Sequence, residues 1–240
     1  MEYPYLVSVL LPTRGRPELM LKSVASLLTT ASNPDQIQIL LKIDNDDKET
    51  YQEAYSFLQD LTSHFKILYS PRGLGYGDLH THVNDLCAIA GGEYLFLWND
   101  DATITTHGWD NIIREHQEGL HGNPVAVIQI DNNHAWKFGF PLVHKKIYET
   151  IGHFSLNAHN DTWIHWVAEQ AGVERMEWRI MSEHDRYDLT ADPKMRDETY
   201  TDIWNEQHGG YHQTHQLLLS NEQTLIREQD SLKIRNMIKG

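Results

Sequence analysis

The sequence predicts an α/β protein with a mostly parallel central sheet that is flanked by helices. Short apolar runs alternate with segments of helical spacing through the first half of the chain, and short polar links join them. The runs are apolar at consecutive positions, which is typical of strands buried on both faces of a parallel sheet. With 240 residues, the chain is long enough for one large domain of this kind.

The first half reads as a regular succession of strands and helices. Pro12 closes the first apolar run, and Pro17 stands where the first turn of a helix accepts proline. The segment 70–78 contains three glycines and a proline, so we expect a loop there. Strands are predicted at 6–11, 37–43, 65–69 and 93–98, and helices at 17–28, 51–61 and 79–90.

The alternation is looser after residue 101. Helices are predicted at 109–119 and 161–171, strands at 125–130 and 175–181, and a short strand and helix within 141–151. The polar segment 182–210 has little core material and is expected to wrap the surface. The segment 211–238 predicts one long helix or two shorter ones. We therefore expect one domain over residues 1–185 and a helical C-terminal extension over 186–240.

Composition excludes some classes of function. Lys and Arg number 20 against 34 Asp and Glu, so the formal charge is −14 and no nucleic-acid partner is expected. The single cysteine, Cys87, excludes an internal disulfide and fits a reducing compartment. Neither a signal peptide nor a window of about 18 apolar residues is found, so we expect no membrane span and a cytoplasmic location.

Polar side chains follow three of the predicted strands at the points where they end. The three clusters are Pro12-Thr13-Arg14, Asp44-Asn45-Asp46-Asp47 and Asn99-Asp100-Asp101. The carboxyl ends of parallel strands meet at one edge of a sheet, where open α/β sheets bind ligands. Adjacent carboxylates suit Mg²⁺ or Mn²⁺, which commonly also bind substrate phosphates. A solvated turn is the alternative, because Asn and Asp are common turn formers.

Cationic side chains for a diphosphate are available close to these clusters. Arg14, Arg16 and Arg72 carry guanidinium groups, which match phosphate oxygens well. Neither GxGxxG nor GxxxxGK[ST] occurs in the chain, so neither a dinucleotide fingerprint nor a P-loop accounts for phosphate binding.

Four segments, in this order and spacing, closely resemble the nucleotide-sugar-dependent glycosyltransferases of the GT-A fold, in particular those of family 2. They are LVSVLLPTRGRP, ILLKIDNDD, the glycine-rich loop with Asn84, and GGEYLFLWNDDA. The resemblance spans about residues 6–101 and continues more weakly to about residue 200. It implies a Rossmann-like donor-nucleotide half over residues 1–101 and an acceptor half over 102–185.

The resemblance also implies roles for individual residues. Pro12, Thr13 and Arg16 are expected to contact the base and ribose of the donor, and Asp44 to meet the uracil or ribose. Arg72 and Asn84 are expected beside the nucleotide. Asn99, Asp100 and Asp101 stand at the family's Asp-x-Asp motif, where metal and diphosphate bind.

At this motif the chain departs from the family, because Asn99 replaces the first acid. An amide oxygen remains available, but the site loses one negative charge, so metal binding is expected to rest mainly on Asp101. His184 is similar to a histidine that completes the metal shell in many members. A surface or core-edge position is the alternative for His184, and Asp185 and Asp188 are rival ligands.

The segment Gly152-His153-Phe154, followed by Asn160-Asp161, is similar to the family segment that supplies the catalytic base of inverting members. Asp161 is therefore the candidate base. The alternative is an N-terminal helix residue that the helix dipole favours.

Several aromatic residues fall in the region that would face the acceptor. Aromatic rings stack against sugar faces, but they also pack in cores, and both interpretations stay open for these residues. They are Trp136, Phe138, Phe140 and Trp163.

The sequence thus predicts an inverting hexosyltransferase that depends on Mn²⁺ or Mg²⁺. It would move a sugar from a nucleotide-diphosphate donor, with uridine as the expected nucleoside, to a hydroxyl acceptor, expected to be a carbohydrate. Two alternatives are a nucleotidyltransferase on a similar sheet and a catalytically silent module that binds a nucleotide or a sugar.

Overall fold

The computed structural model describes residues 3–119, 123, 125–134, 139–186, 201, 203–204 and 209–240. Trp136, Phe138 and Asp188 lie outside the described residues. The strands are β1 Tyr5–Thr13, β2 Ile37–Asp44, β3 Phe65–Ser70, β4 Gly92–Leu97, β5 Ala102–Ile104, β6 Val127–Asn132, β7 Pro141–His144 and β8 Glu174–His184. The helices are α1 Pro17–Thr30, α2 Gln52–Leu61, α3 Leu79–Ile89, α4 Trp109–Gln117, α5 Lys145–Ile151, α6 Asn160–Ala171, α7 Tyr211–Leu218 and α8 Asn221–Lys239.

The described strands form one mixed sheet in the order β3-β2-β1-β4-β7-β6-β8-β5. The pairs β2–β3, β1–β2 and β1–β4 are parallel, as the alternation in the first half predicted. β6 and β8 are parallel as well, whereas β7 runs antiparallel to both β4 and β6, and β5 antiparallel to β8. The predicted α/β fold is thus confirmed, and each antiparallel pair among the described strands includes a strand of the second half.

The central strands are buried on both faces, as their continuous apolar runs predicted. Every residue of β2 is buried. Neighbouring residues of one strand enter opposite cores: Leu41 packs on one side of the sheet and Leu40 on the other. Helices cover both faces, so the strand ends are the places where this sheet can present polar groups to a ligand.

Gly92 allows β1 and β4 to approach closely. A Cβ at this position would lie 2.6 Å from the carbonyl carbon of Val7, a distance that side chains do not adopt. The Gly92 amide donates to Ser8 Oγ at 2.8 Å. The glycine before the fourth strand therefore has a packing role, and it fixes how β4 presents the acids that follow.

The C-terminal segment forms two helices, one of the two outcomes that the sequence left open. Ser220 caps α8 by accepting a hydrogen bond from the Gln223 amide. Ser231 Oγ of α8 donates to Val167 O of α6 at 3.0 Å, and His153 Nε2 lies 2.9 Å from Asp230 Oδ2. The extension thus packs against α6, the helix whose first turn contains the candidate base. The boundary of the extension at residue 186 stays a prediction.

A helix with the length and continuous apolar character of a membrane span is absent from the described part of the chain.

Candidate functional site

The ends of β1 and β4 are joined by a buried polar network. Thr13 Oγ1 donates to Asp100 Oδ2 at 2.6 Å. Arg16 binds the same carboxylate twice, through Nε to Oδ2 at 3.2 Å and through Nη2 to Oδ1. Thr13 and Arg16, which the sequence assigned to the donor site, therefore both contact Asp100, although Asp100 is more than 80 positions further along the chain.

Tyr51 belongs to this network, and the sequence analysis missed it. Its hydroxyl lies 2.7 Å from Thr13 Oγ1 and accepts a hydrogen bond from the Arg16 amide at 3.3 Å. Burial raises the pKa of Tyr51 above its usual value, so the phenol keeps its proton. The sequence pattern placed Tyr51 on the apolar face of a predicted helix. Apart from its place after the acidic turn, the pattern did not indicate a polar role for Tyr51.

A second network surrounds Asp44 at the end of β2. Arg14 Nη1 donates to Asp44 Oδ2 at 2.9 Å, and the same guanidinium binds Asp46 at 2.8 and 3.0 Å. Lys42 Nζ donates to the other oxygen of Asp44 and lies 3.1 Å from His82 Nε2. Arg14, considered for the diphosphate, thus contacts the carboxylates of the second strand end.

Lys42 is a second residue that the sequence did not reveal. It lies within the apolar run of β2, it is buried, and its burial lowers its pKa. Pro12 of β1 is paired with Lys42 in the sheet, so Pro12 lies beside the Asp44 network. A lysine inside an apolar strand was the available signal, because such a residue needs a polar partner when buried.

The glycine-rich loop closes this side of the site. Gly73 has a φ of 61°, in the left-handed region that favours glycine. Asp78 Oδ2 accepts from the Leu74 amide at 2.7 Å and holds the turn. The carbonyl of Arg72 lies 3.3 Å from His82 Nε2. The hydrogen bond from Arg14 is the main cause that lowers the pKa of Asp46, and the charge of Arg72 adds to this effect.

Asn84 links α3 to the loop that precedes α6. Its Nδ2 donates to Ser155 O at 2.7 Å, and its Oδ1 accepts from the Phe154 amide at 2.7 Å. Both ends of the amide are thus bonded to the backbone that leads to Asp161. The predicted contact with the nucleotide stays a prediction, and the observed contacts give Asn84 a positioning role.

Asn99, Asp101 and His184 lie close together in the structure. His184 Nε2 lies 3.0 Å from Asp101 Oδ1 and 3.3 Å from Asn99 Nδ2. Burial alone would raise the pKa of Asp101, but the hydrogen bond and charge of His184, together with the charge of Arg16, hold it below its usual value.

The backbone of His184 is held by the residues that follow β6 and by pairing with β5. The His184 amide donates to Asn133 Oδ1 at 2.9 Å, and His134 Nε2 lies 2.6 Å from His184 O. Ala102 is paired with His184 in the β5–β8 ladder, which places the histidine beside Asp101. The side chain of Asp185 instead lies 3.8 Å from Lys22 Nζ.

The donor set fits a divalent ion that shares its coordination with a substrate. Across the described ranges, no group of three or more His, Cys, Asp or Glu side chains is arranged to hold a metal ion. Asp101 and His184 nevertheless offer a carboxylate and an imidazole side by side, and the adjacent amide of Asn99 carries an oxygen. Mn²⁺ and Mg²⁺ bind carboxylate and amide oxygens of this kind and commonly complete their shell with phosphate oxygens and water, and an imidazole beside them suits Mn²⁺ better than Mg²⁺.

Asp161 lies in the first turn of α6. This position is compatible both with a catalytic base and with an N-terminal helix residue that the helix dipole favours. Its Oδ1 accepts from the Thr162 amide at 2.7 Å. Burial raises the pKa of Asp161, while the hydrogen bonds of Thr162 and the charge of Arg186 oppose the rise. The carboxylate also acts on the phenol of Tyr76, whose pKa is raised first by burial and then by the charge of Asp161. A carboxyl group with a raised pKa is a suitable general base.

Two of the aromatic residues considered for the acceptor are core residues. Phe140 is buried, with its ring 4.4 Å from that of Trp98 and 5.0 Å from that of His184. Trp163 is also buried, and the guanidinium of Arg227 lies 5.1 Å above its ring. Neither ring can stack on a sugar, so core packing is the interpretation that holds for Phe140 and Trp163.

The mixed sheet, its parallel N-terminal half and the acids at its strand ends define an α/β protein of the GT-A fold. Residues 8–172 match the family model described as glycosyl transferase family 2, which is more than half of the chain. The chain belongs to glycosyl transferase family 2. No curated protein matches the sequence.

The fold is also similar to that of TarS from S. aureus. A crystal structure of TarS residues 1–349 has a TM-score of 0.60 and 13% sequence identity, covering 83% of this chain and 66% of that one. The same fragment in complex with UDP has a TM-score of 0.58 at 13% identity, with the same coverage of 83% and 66%. This chain thus spans slightly less than two thirds of that fragment, and at this identity the likeness concerns the fold.

Proposed function

We propose that the protein is an inverting, metal-dependent glycosyltransferase of the hexosyltransferase type. It transfers a sugar from a nucleotide-diphosphate donor, with UDP as the nucleotide, to a hydroxyl of a carbohydrate acceptor. The observation that carries the proposal is that Asn84 bonds to the backbone of Phe154 and Ser155, and that Tyr76 of the glycine-rich loop contacts His159, two positions before Asp161. The candidate base and the candidate donor site are thereby joined through one loop. The single cysteine suits a cytoplasmic enzyme.

The donor nucleotide is assigned to the networks at the ends of β1, β2 and β4. The assigned residues are Pro12, Thr13, Arg16, Asp44, Arg72, Asn84 and Asp100. The choice of uridine is supported by the UDP complex of the similarly folded TarS fragment. Hydrogen bonds and ion pairs already hold Asp44 and Asp100, so these carboxylates are ordered before a ligand arrives.

Asp101, His184 and Asn99 are the residues that would hold Mn²⁺ or Mg²⁺. When bound, the ion would supply positive charge that stabilises the leaving diphosphate. Arg16 serves the same region, because its guanidinium binds Asp100 and lies 3.7 Å from Asp101 Oδ2. It thereby offsets the repulsion between two adjacent carboxylates.

Asp161 acts as the general base in this reaction. Its carboxylate takes the proton of the acceptor hydroxyl while the hydroxyl oxygen forms a bond with the anomeric carbon of the donor sugar. The bond between that carbon and the diphosphate oxygen breaks, and its electron pair leaves with the nucleotide diphosphate. Attack opposite to the leaving group inverts the anomeric configuration.

The test is a donor screen followed by one substitution. Common nucleotide sugars are incubated with the protein and candidate saccharides, and nucleotide release is measured with and without Mn²⁺. Asp161→Asn should lower kcat about 10²- to 10⁴-fold, because the base contribution is lost. Glu18→Gln is the matched control, because Glu18 is likewise an acid in the first turn of a helix but is exposed and lies on α1.

Two results would contradict the proposal. Full transfer activity in Asp161→Asn would show that another group takes the proton. A product with the configuration of the donor, determined by NMR of the anomeric proton, would exclude an inverting mechanism.

A further inference from the structure

Aromatic rings from the C-terminal extension gather beside the candidate base. Tyr211, the first residue of α7, is stacked on His215 with ring centroids 5.7 Å apart and an angle of 6°. Trp204 lies 6.0 Å from Tyr211, at an angle of 36°. His159 contacts Tyr211 at 4.9 Å, and Tyr76 contacts His159 at 6.0 Å. We call Tyr76, His159, Trp204, Tyr211 and His215 the aromatic cluster.

The aromatic cluster is continuous with the candidate active site. His159 stands two positions before Asp161, and its Nε2 lies 3.2 Å from Thr214 Oγ1 of α7. Tyr76 is close enough to Asp161 and to Tyr211 for both to affect its pKa. The cluster therefore connects α7, the start of α6 and the glycine-rich loop, and Trp204, Tyr211 and His215 lie beyond the family match, which ends at residue 172.

Two rings of the aromatic cluster remain open to solvent. Trp204 is 60% exposed and Tyr211 is 38% exposed, whereas His159 is only 8% exposed. His159 packs edge-on against Tyr211 and His215 is stacked on one face of Tyr211, so both contacts hold this ring in place while part of its surface stays exposed. Large exposed aromatic rings next to a reacting group are typical of a ligand surface.

We propose that Trp204 and Tyr211 form a stacking surface for a pyranose ring of the acceptor saccharide. Sugar rings have an apolar face of C–H groups and a rim of hydroxyls, which matches a ring with an apolar body and a polar tip. The formal charge of −14 favours an uncharged saccharide over an anionic one. This inference rests on the proposed function, because it takes Asp161 as the base that meets the acceptor hydroxyl.

The test measures saccharide binding separately from donor turnover. Chitotriose, cellotriose and maltotriose are titrated into the full chain with UDP and MnCl₂, and binding is followed by saturation-transfer difference NMR. Trp204→Ala and Tyr211→Ala should weaken binding about tenfold, and Tyr211→Phe, which keeps the ring, by less than about twofold. Trp178→Ala is the matched control, because Trp178 of β8 is 59% exposed but is not part of the aromatic cluster.

The outcomes are distinct. If none of the three saccharides binds the wild-type protein, or if Trp204→Ala binds as well as Trp178→Ala, the stacking surface is refuted. Nucleotide release from UDP-glucose, UDP-galactose and UDP-N-acetylglucosamine by the wild-type protein is measured in parallel. Saccharide binding that depends on Trp204 without any nucleotide release would support the surface and contradict the proposed transferase.

Discussion

Asp100 and Asp101 are adjacent acids that are 2% and 7% exposed, and the guanidinium of Arg16 lies close to both. Two carboxylates in such positions repel each other and lose hydration, so each needs donors or cations close by. The carboxylate of Asp100 accepts hydrogen bonds from Thr13 and Arg16, whereas the carboxylate of Asp101 lies beside the imidazole of His184. Under the proposed function, Asp100 would thus serve the donor network and Asp101 the candidate metal position.

His159 makes the stability of the protein depend on pH. Burial, followed by the charge of His215, lowers the pKa of His159 to about 4 from its ordinary value of 6.5. As the pH falls from 6.5 towards 4, the unfolded chain gains a proton that the folded chain refuses, so stability present above pH 6.5 is lost. The free energy of unfolding is measured by urea unfolding at pH 7 and at pH 4.5. We expect its decrease between these two pH values to be roughly 1–3 kcal/mol smaller in His159→Gln than in the wild-type protein.

His212→Gln is the control for this experiment, because His212 is an exposed residue of the same helix as His215. It should leave the difference between the two pH values unchanged. If His159→Gln leaves the pH dependence of stability unaltered, His159 takes up its proton as readily in the folded protein as in the unfolded chain.

Among the secondary-structure elements, β5 shows most clearly what the sequence did not reveal. It has only three residues, and its register with β8 joins Ala102 to His184 across about 80 positions. Local periodicity cannot indicate so short a strand, since its only support is a distant partner. The strand-end acids were predictable because parallel strands bring their carboxyl ends together, whereas Tyr51 and Lys42 were hidden within patterns that were interpreted as apolar.

The helix α8 is an integral part of the folded domain, and this can be tested by substitution. Ile234 is fully buried against the core beneath α6, so Ile234→Ala should lower the free energy of unfolding by about 2–5 kcal/mol. Leu232 is 53% exposed on the same helix, and Leu232→Ala should change it by less than about 0.5 kcal/mol. Urea unfolding followed by circular dichroism measures both.

A single transition that shifts as a whole in Ile234→Ala would support one cooperative unit. Equal effects of the two substitutions, or a separate early transition that alone responds to Ile234→Ala, would show that α8 unfolds independently of the sheet.

At the scale of the whole molecule, the two halves of the sheet are connected at the site itself. Asn84 of α3 bonds to the loop before α6, and Tyr76 of the glycine-rich loop lies against the same region. The second half returns through β8, whose last residue reaches Asp101. A ligand that contacts both halves should therefore stabilise the complete fold rather than one part of it.

The metal position can be tested through this coupling. UDP with Mn²⁺ at about 100 times its dissociation constant should add about 2.7 kcal/mol, which raises the Tm of a domain this size by about 5–10 °C. In Asp101→Asn the part of this increase that requires Mn²⁺ should disappear, because the carboxylate beside His184 is lost. Asp185→Asn is the matched control: its side chain lies against Lys22, so the full increase should remain. The assignment of the metal to Asp101 would be wrong if the Mn²⁺-dependent increase in Tm survived in Asp101→Asn. It would also be wrong if this increase vanished in Asp185→Asn.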